Sequence, residues 1–144
     1  MIGWIFCVIA GAAMSIQGVM NTRLSDTTGL LAGNTFVQGT AFLLSAVIML
    51  LCGQQTGLKE LGSVNKGYLL GGVLGLVITL TVMVGIGKLS PTVAISTILI
   101  AQLCVAAMID GFGWMGSEKV SFHLGQFIGL GLMIAGVIAF KWKS

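Results

Sequence analysis

Residues 67–87 read GYLLGGVLGLVITLTVMVGIG, 21 consecutive positions without a charge. A helix needs about 20 apolar residues to cross the hydrocarbon core of a bilayer. Inside hydrocarbon the backbone must satisfy its own hydrogen bonds, so an unbroken run of this length is a helix. Working outward, four more such runs occupy Ile2–Met20, Leu30–Cys52, Pro91–Asp110 and Phe122–Phe140. The expectation is an all-α integral membrane protein, with five transmembrane helices forming one domain over residues 1–144 and short loops between them.

Composition agrees with that class. Hydrophobic residues make up 56% of the chain and charged residues 8%, against about 25% charged in a soluble domain. The segments lack the alternating apolar and charged faces of a soluble bundle. The formal charge of +3 sits at segment ends, which reads as membrane anchoring and not as a nucleic-acid footprint. The first segment has no basic leader and ends in the polar group Gln17, Asn21 and Arg23, so it is expected to be retained and not cleaved. Cys7, Cys52 and Cys104 are widely spaced in apolar surroundings and read as packing residues without metal or redox spacing. No enzyme activity, metal or cofactor is expected.

An odd number of spans puts the termini on opposite sides. Lys59, Lys66 and Lys119 then share the side of the N-terminus, while Arg23, Lys88, Lys141 and Lys143 share the other, three against four. Orientation normally follows a clear Lys/Arg excess. The near-tie predicts insertion in both orientations. Transporter sites lie near the midplane between repeats of opposite topology, and five helices make one such inverted-repeat half. An antiparallel homodimer, or a pairing with a homologous five-helix subunit, would supply the other.

Polar side chains at membrane depth are the informative ones. Gln17 and Asn21 are four apart in the first span, with Met14 and Ala10 continuing that face. Asn34 and Gln38 repeat the spacing in the second, extended by Ala41 and Ser45, and Gln102, Ala106 and Asp110 fall at i, i+4 and i+8 in the fourth. Amides both donate and accept, which suits a polar or cationic small molecule, or one another across helices. Gln17, Asn21, Asn34, Gln38 and Gln102 are therefore the candidate substrate-cavity residues. Asp110 is the one acid expected within a span, followed by Gly111 as a C-cap; its roles are coupling, a structural pair, or a solvated helix end. His123 and Lys88 read as interfacial end residues, and Ser90-Pro91 as N-cap and first helical residue.

Glycine is frequent, at 22 residues. Gly71 and Gly75 form a GxxxG pair, and Gly125, Gly129 and Gly136 form a stripe on the fifth span, where Gln126 is the sole interior polar residue. Small residues at this spacing let helix backbones approach closely in lipid. The stripe predicts that the fifth helix serves assembly while the first four carry the polar face.

The stretch Gln17-Gly18-Val19-Met20-Asn21-Thr22-Arg23-Leu24, the pair Ala101-Gln102-Leu103 and Asp110-Gly111-Phe112-Gly113, and Gly125-Gln126 through Gly136 resemble the YdcZ-like family of the drug/metabolite transporter superfamily. The resemblance covers essentially the whole chain. It implies a small-molecule transporter of the inner membrane built from two five-helix halves, with the fifth helices at their contact. The plan is also similar to the small multidrug resistance proteins, which are antiparallel dimers with an acid in the first span; here that span holds Gln17 and no acid. The expected function is a secondary transporter, an exporter of a small polar or cationic metabolite or drug, working as a dual-topology dimer by alternating access. A dual-topology ion channel and a non-transporting assembly subunit are the alternatives. The expected partners are the lipid bilayer, a second five-helix chain and a small-molecule substrate, with no nucleic acid.

Overall fold

The computed structural model describes residues 2–53, 55–120 and 123–142. Phe122, the expected start of the fifth span, and Lys143 of the charge count lie outside the described residues. The described chain is helical, with no strand: α1 (Ile2–Thr28), α2 (Leu30–Leu51), α3 (Gly71–Lys88), α4 (Pro91–Phe112) and α5 (Leu124–Lys141), plus 3₁₀ turns at Gln55–Gly62, Lys66–Leu70 and Trp114–Gly116. Four helices, with α3 counted from its 3₁₀ lead-in at Lys66, are long and apolar enough to cross a membrane, and Leu124–Phe140 is a shorter apolar helix. The chain divides into two compact units, Met1–Lys88 and Leu89–Ser144.

In the first unit α1 packs on both α2 and α3, and α2 packs on α3. The apolar run of α1 ends at Met20, yet the helix continues to Thr28. At 1.5 Å per residue its 27 residues span about 40 Å, more than the ~30 Å hydrocarbon core. Its last turns are polar, with an exposed Arg23–Asp26 ion pair at 3.6 Å. The connection to α2 is a single residue, Gly29, at φ 85° and ψ 153°, a backbone region that is essentially glycine-only. The turn is tight enough that a Cβ on Gly33 would lie 3.1 Å from the Thr28 hydroxyl.

Burial in this unit is inverted relative to a soluble protein. Asn21, Thr22 and Asn34 are buried beside Met83 and Ile86, while Trp4, Phe6, Phe42 and Leu51 are exposed. That inversion is what a lipid environment selects, because outward apolar side chains cost nothing in hydrocarbon and polar ones must turn inward.

The second unit packs α4 on α5. Ser90 starts α4 by accepting a hydrogen bond from Val93 N–H at 3.4 Å, with Pro91 in the first turn, as the sequence predicts. The C-cap is Gly113, in the left-handed conformation at φ 66°, and not Gly111, which is helical. The difference has a physical cause in the chain's return. Val120 N–H donates to the Asp110 carbonyl at 3.0 Å and the Ser117 hydroxyl to the Trp114 carbonyl at 2.8 Å. This fold-back needs the positive φ two residues later than expected. Phe112 and Trp114 stack at 5.2 Å over it. At the start of α5, Gln126 accepts the His123 N–H at 2.8 Å. Gln126 is thus a first-turn capping residue and not an interior polar residue of a span.

Candidate functional site

Each unit has its own recess. In the first, Met14, Gln17, Gly18 and Asn21 of α1 face Ile78, Thr79 and Val82 of α3 around a cavity of about 60 Å³. Gln17 and Asn21 reach it together because residues four apart on a helix stack on one face. The same face holds Gly18, packed tightly against α3: a Cβ there would sit 2.9 Å from Ile86 Cδ1 and 3.3 Å from Val82 Cγ1. Gly18 and Thr79 were not among the expected site residues. The signal for Gly18 was its place between the two amides, and for Thr79 a hydroxyl inside a long apolar run.

Asn34 and Gln38 of α2 belong to the same unit. Gln38 is half-buried, and its Nε2 lies 3.9 Å from the position a Cβ on Gly75 would take. Gly75 is one turn before Thr79, whose hydroxyl donates to the Gly75 carbonyl at 2.8 Å. Asn34 is only 3% exposed, and its Oδ1 is buried without a hydrogen-bond partner. Leaving such an acceptor unmet costs about 1–3 kcal/mol. The polar stripe of α2 ends there: Ala41 and Ser45 are exposed, and Ser45 spends its hydroxyl on the Phe42 carbonyl at 2.9 Å.

In the second unit a groove of about 470 Å³ runs between α4 and α5, with Asp110 and Gln126 at one end and Leu103 and Met133 at the other. Gln102 is exposed and is not part of that groove. The reason is helical drift: at 100° per residue, Gln102 sits about 80° round the helix from Asp110, whereas Leu103 sits about 20° from it. Gly129 lines the groove. A Cβ on Gly125, Gly129 or Gly136 would meet nothing within 4 Å. Among the described residues no group of His, Cys, Asp or Glu could hold a metal ion.

Long apolar helices with an inward polar face define a multi-pass helical membrane protein. Residues 2–139 match the family model described as "Putative inner membrane exporter, YdcZ", and the chain belongs to that family. It is therefore a transporter of the exporter class in the inner membrane, which is not a class of enzyme. No curated protein and no solved structure gave a match.

Proposed function

We propose that the chain exports a small polar or cationic molecule by alternating access, as a secondary transporter in which two five-helix copies pair with opposite orientation. The observation that carries this reading is the unpaired, buried Oδ1 of Asn34, in a three-helix unit whose interior also holds Asn21 and Thr22. An acceptor kept unmet at that cost is ready for a donor that arrives from outside the chain. Gln17 and Asn21 line the recess of the first unit; Asn34 and Gln38, on the neighbouring α2, would join them when the site opens, and Gln102 is a further candidate on α4. The pairing rests on the three-against-four division of Lys and Arg. The open space beside Gly125, Gly129 and Gly136 leaves the fifth helix free to pack on a second chain.

Two measurements test this. For Gln17→Leu and Asn34→Ala, flux into liposomes and melting temperature in detergent are read side by side. A cavity role predicts flux reduced several-fold with the melting temperature held or raised. Normal flux with a lowered melting temperature would make these amides mere ties between helices. For the pairing, a lone cysteine at Glu60, in the exposed turn after α2, is introduced after removal of Cys7, Cys52 and Cys104. Impermeant thiol reagent should reach it in both right-side-out and inverted vesicles, and labelling from one side alone rules out the homodimer.

A further inference from the structure

The groove of the second unit is not a copy of the amide-lined recess. Its walls are Leu103, Leu130 and Met133, and its floor is made by small residues including Ala106 and Gly129. Polarity is concentrated at one end, where Asp110 of α4 and Gln126 of α5 stand. Asp110 lies in the last turns of α4 and Gln126 in the first turn of α5, so this end is the loop end. From Asp110 to Leu103 is seven residues, or about 10 Å of groove running along the helix. The volume of about 470 Å³ falls in the range of small-molecule sites.

Among the described residues no cation pairs with the Asp110 carboxylate. The one ion pair among the described residues is Arg23–Asp26 in the other unit. A cation is at hand, since Lys119 precedes Val120, whose N–H is bonded to the Asp110 carbonyl, yet Lys119 does not pair with the carboxylate. Asp110 also sits at the C-terminal end of its helix, where the helix dipole adds negative potential and favours a positive charge. Gln126 gives Oε1 to the His123 N–H, which fixes its side chain and leaves the carboxylate as the charged group of the groove. A carboxylate at the mouth and an apolar trough behind it are complementary to one shape of ligand: a positive head joined to an apolar body about 10 Å long.

We propose that the α4–α5 groove binds a lipophilic monocation, with its charge against Asp110 and its apolar part along Leu103, Leu130 and Met133. This site is separate from the amide recess, and its test reads binding and not flux, so it stands or falls independently of the transport reading. A drug-like amine and the ammonium head of a lipid share this chemistry. A soluble cation and a lipid are separated by comparing membranes with and without aminophospholipid.

The probes are tetraphenylphosphonium and tetraphenylborate, which match in size and shape and differ in the sign of the charge. The full chain is placed in phosphatidylcholine nanodiscs, and binding is measured above that of empty discs. Saturable binding of the cation and none of the anion is expected. Asp110→Asn should weaken the cation by roughly fivefold or more, the loss of a solvent-accessible ion pair at the upper end of its range, and Asp110→Glu should restore most of it. Ala106→Leu should abolish binding by filling the floor, with melting temperature as the check that the unit is intact. Competition by phosphatidylethanolamine in the disc would identify the lipid headgroup as the natural cation. The proposal is overturned if wild-type protein binds neither probe, if both probes bind alike, or if Asp110→Asn binds the cation as tightly as wild type. It is also overturned if Ala106→Leu leaves binding intact, or if cation binding is absent while that variant breaks a dimer, in which case a partner helix fills the groove.

Discussion

Two glycines of the first unit and the glycines of α5 are used in opposite ways. In the first, Gly18 and Gly33 are consumed by contacts within the chain: a Cβ at either would press on Ile86 or on the Thr28 side chain at 2.9 Å and 3.1 Å. In the second, Gly125, Gly129, Gly131 and Gly136 of α5 have no neighbour within 4 Å of the place a Cβ would occupy. The polar groups divide the same way. The first unit buries Asn21, Thr22 and Asn34 and has a recess of about 60 Å³ lined by Asn21 and Gln17, while the second leaves Asp110 exposed at the mouth of one of about 470 Å³. Both units are made of the same kind of apolar, glycine-rich helix. What separates them is whether close approach has been used up inside the chain. In lipid, where apolar burial gives no net drive between helices, close approach is a main source of association. At Gly18 and Gly33 the first unit has already taken that gain, and along α5 it is still held in reserve.

The largest effect expected from breaking this contrast is at Gly18. Gly18→Leu drives a side chain into Val82 and Ile86, and it separates α1 from α3 where the amide recess also forms. Overpacking of this kind costs about 1–3 kcal/mol, and here it acts on a contact that has no hydrophobic drive to offset it. The melting temperature should fall by many degrees, and flux should be lost with it. Gly18→Ala should be milder, because the nearest atom is the end of the Ile86 side chain, which can rotate away. A Gly18→Leu protein that melts like wild type would show that the α1–α3 approach is not what holds the first unit together.

The membrane class and the helical spans were legible from composition and run length alone, because a bilayer imposes length and polarity on each helix separately. What could not be read depends on neighbours. The polar turns of α1 from Asn21 to Thr28 continue a helix past its apolar run, and nothing in hydropathy marks that. The choice of Gly113 over Gly111 as C-cap follows from the return of Val120 to the Asp110 carbonyl, a tertiary bond between residues ten apart. Gln102 and Asp110 looked like one stripe at i and i+8, but the 3.6-residue turn carries them about 80° apart. Of the amide pairs, Gln17 with Asn21 was the easiest to place, since a spacing of four on a long straight helix leaves little for packing to alter.

The smallest effect on stability, and the one that sharpens the comparison most, is expected at Gly129. Gly129→Leu adds bulk where a Cβ meets nothing within 4 Å, so the chain itself should tolerate it and the monomer's stability should stay within the spread of surface substitutions, about 0.5 kcal/mol. A second copy packed on α5 would not tolerate it, because the added isobutyl group holds the backbones apart at the place where their approach is the attraction. Native mass spectrometry from detergent should therefore show dimer for wild type and monomer for Gly129→Leu, with helix content unchanged by circular dichroism. Gly129 also lines the α4–α5 groove, so Gly136→Leu is the needed companion: it lies on the same stripe, two turns further along, and outside the groove. Loss of the dimer in both variants assigns the stripe to assembly. Loss in Gly129→Leu alone would place the contact at the groove end of α5, and an intact dimer in both would move the interface to another helix and leave the open glycines of the second unit facing lipid.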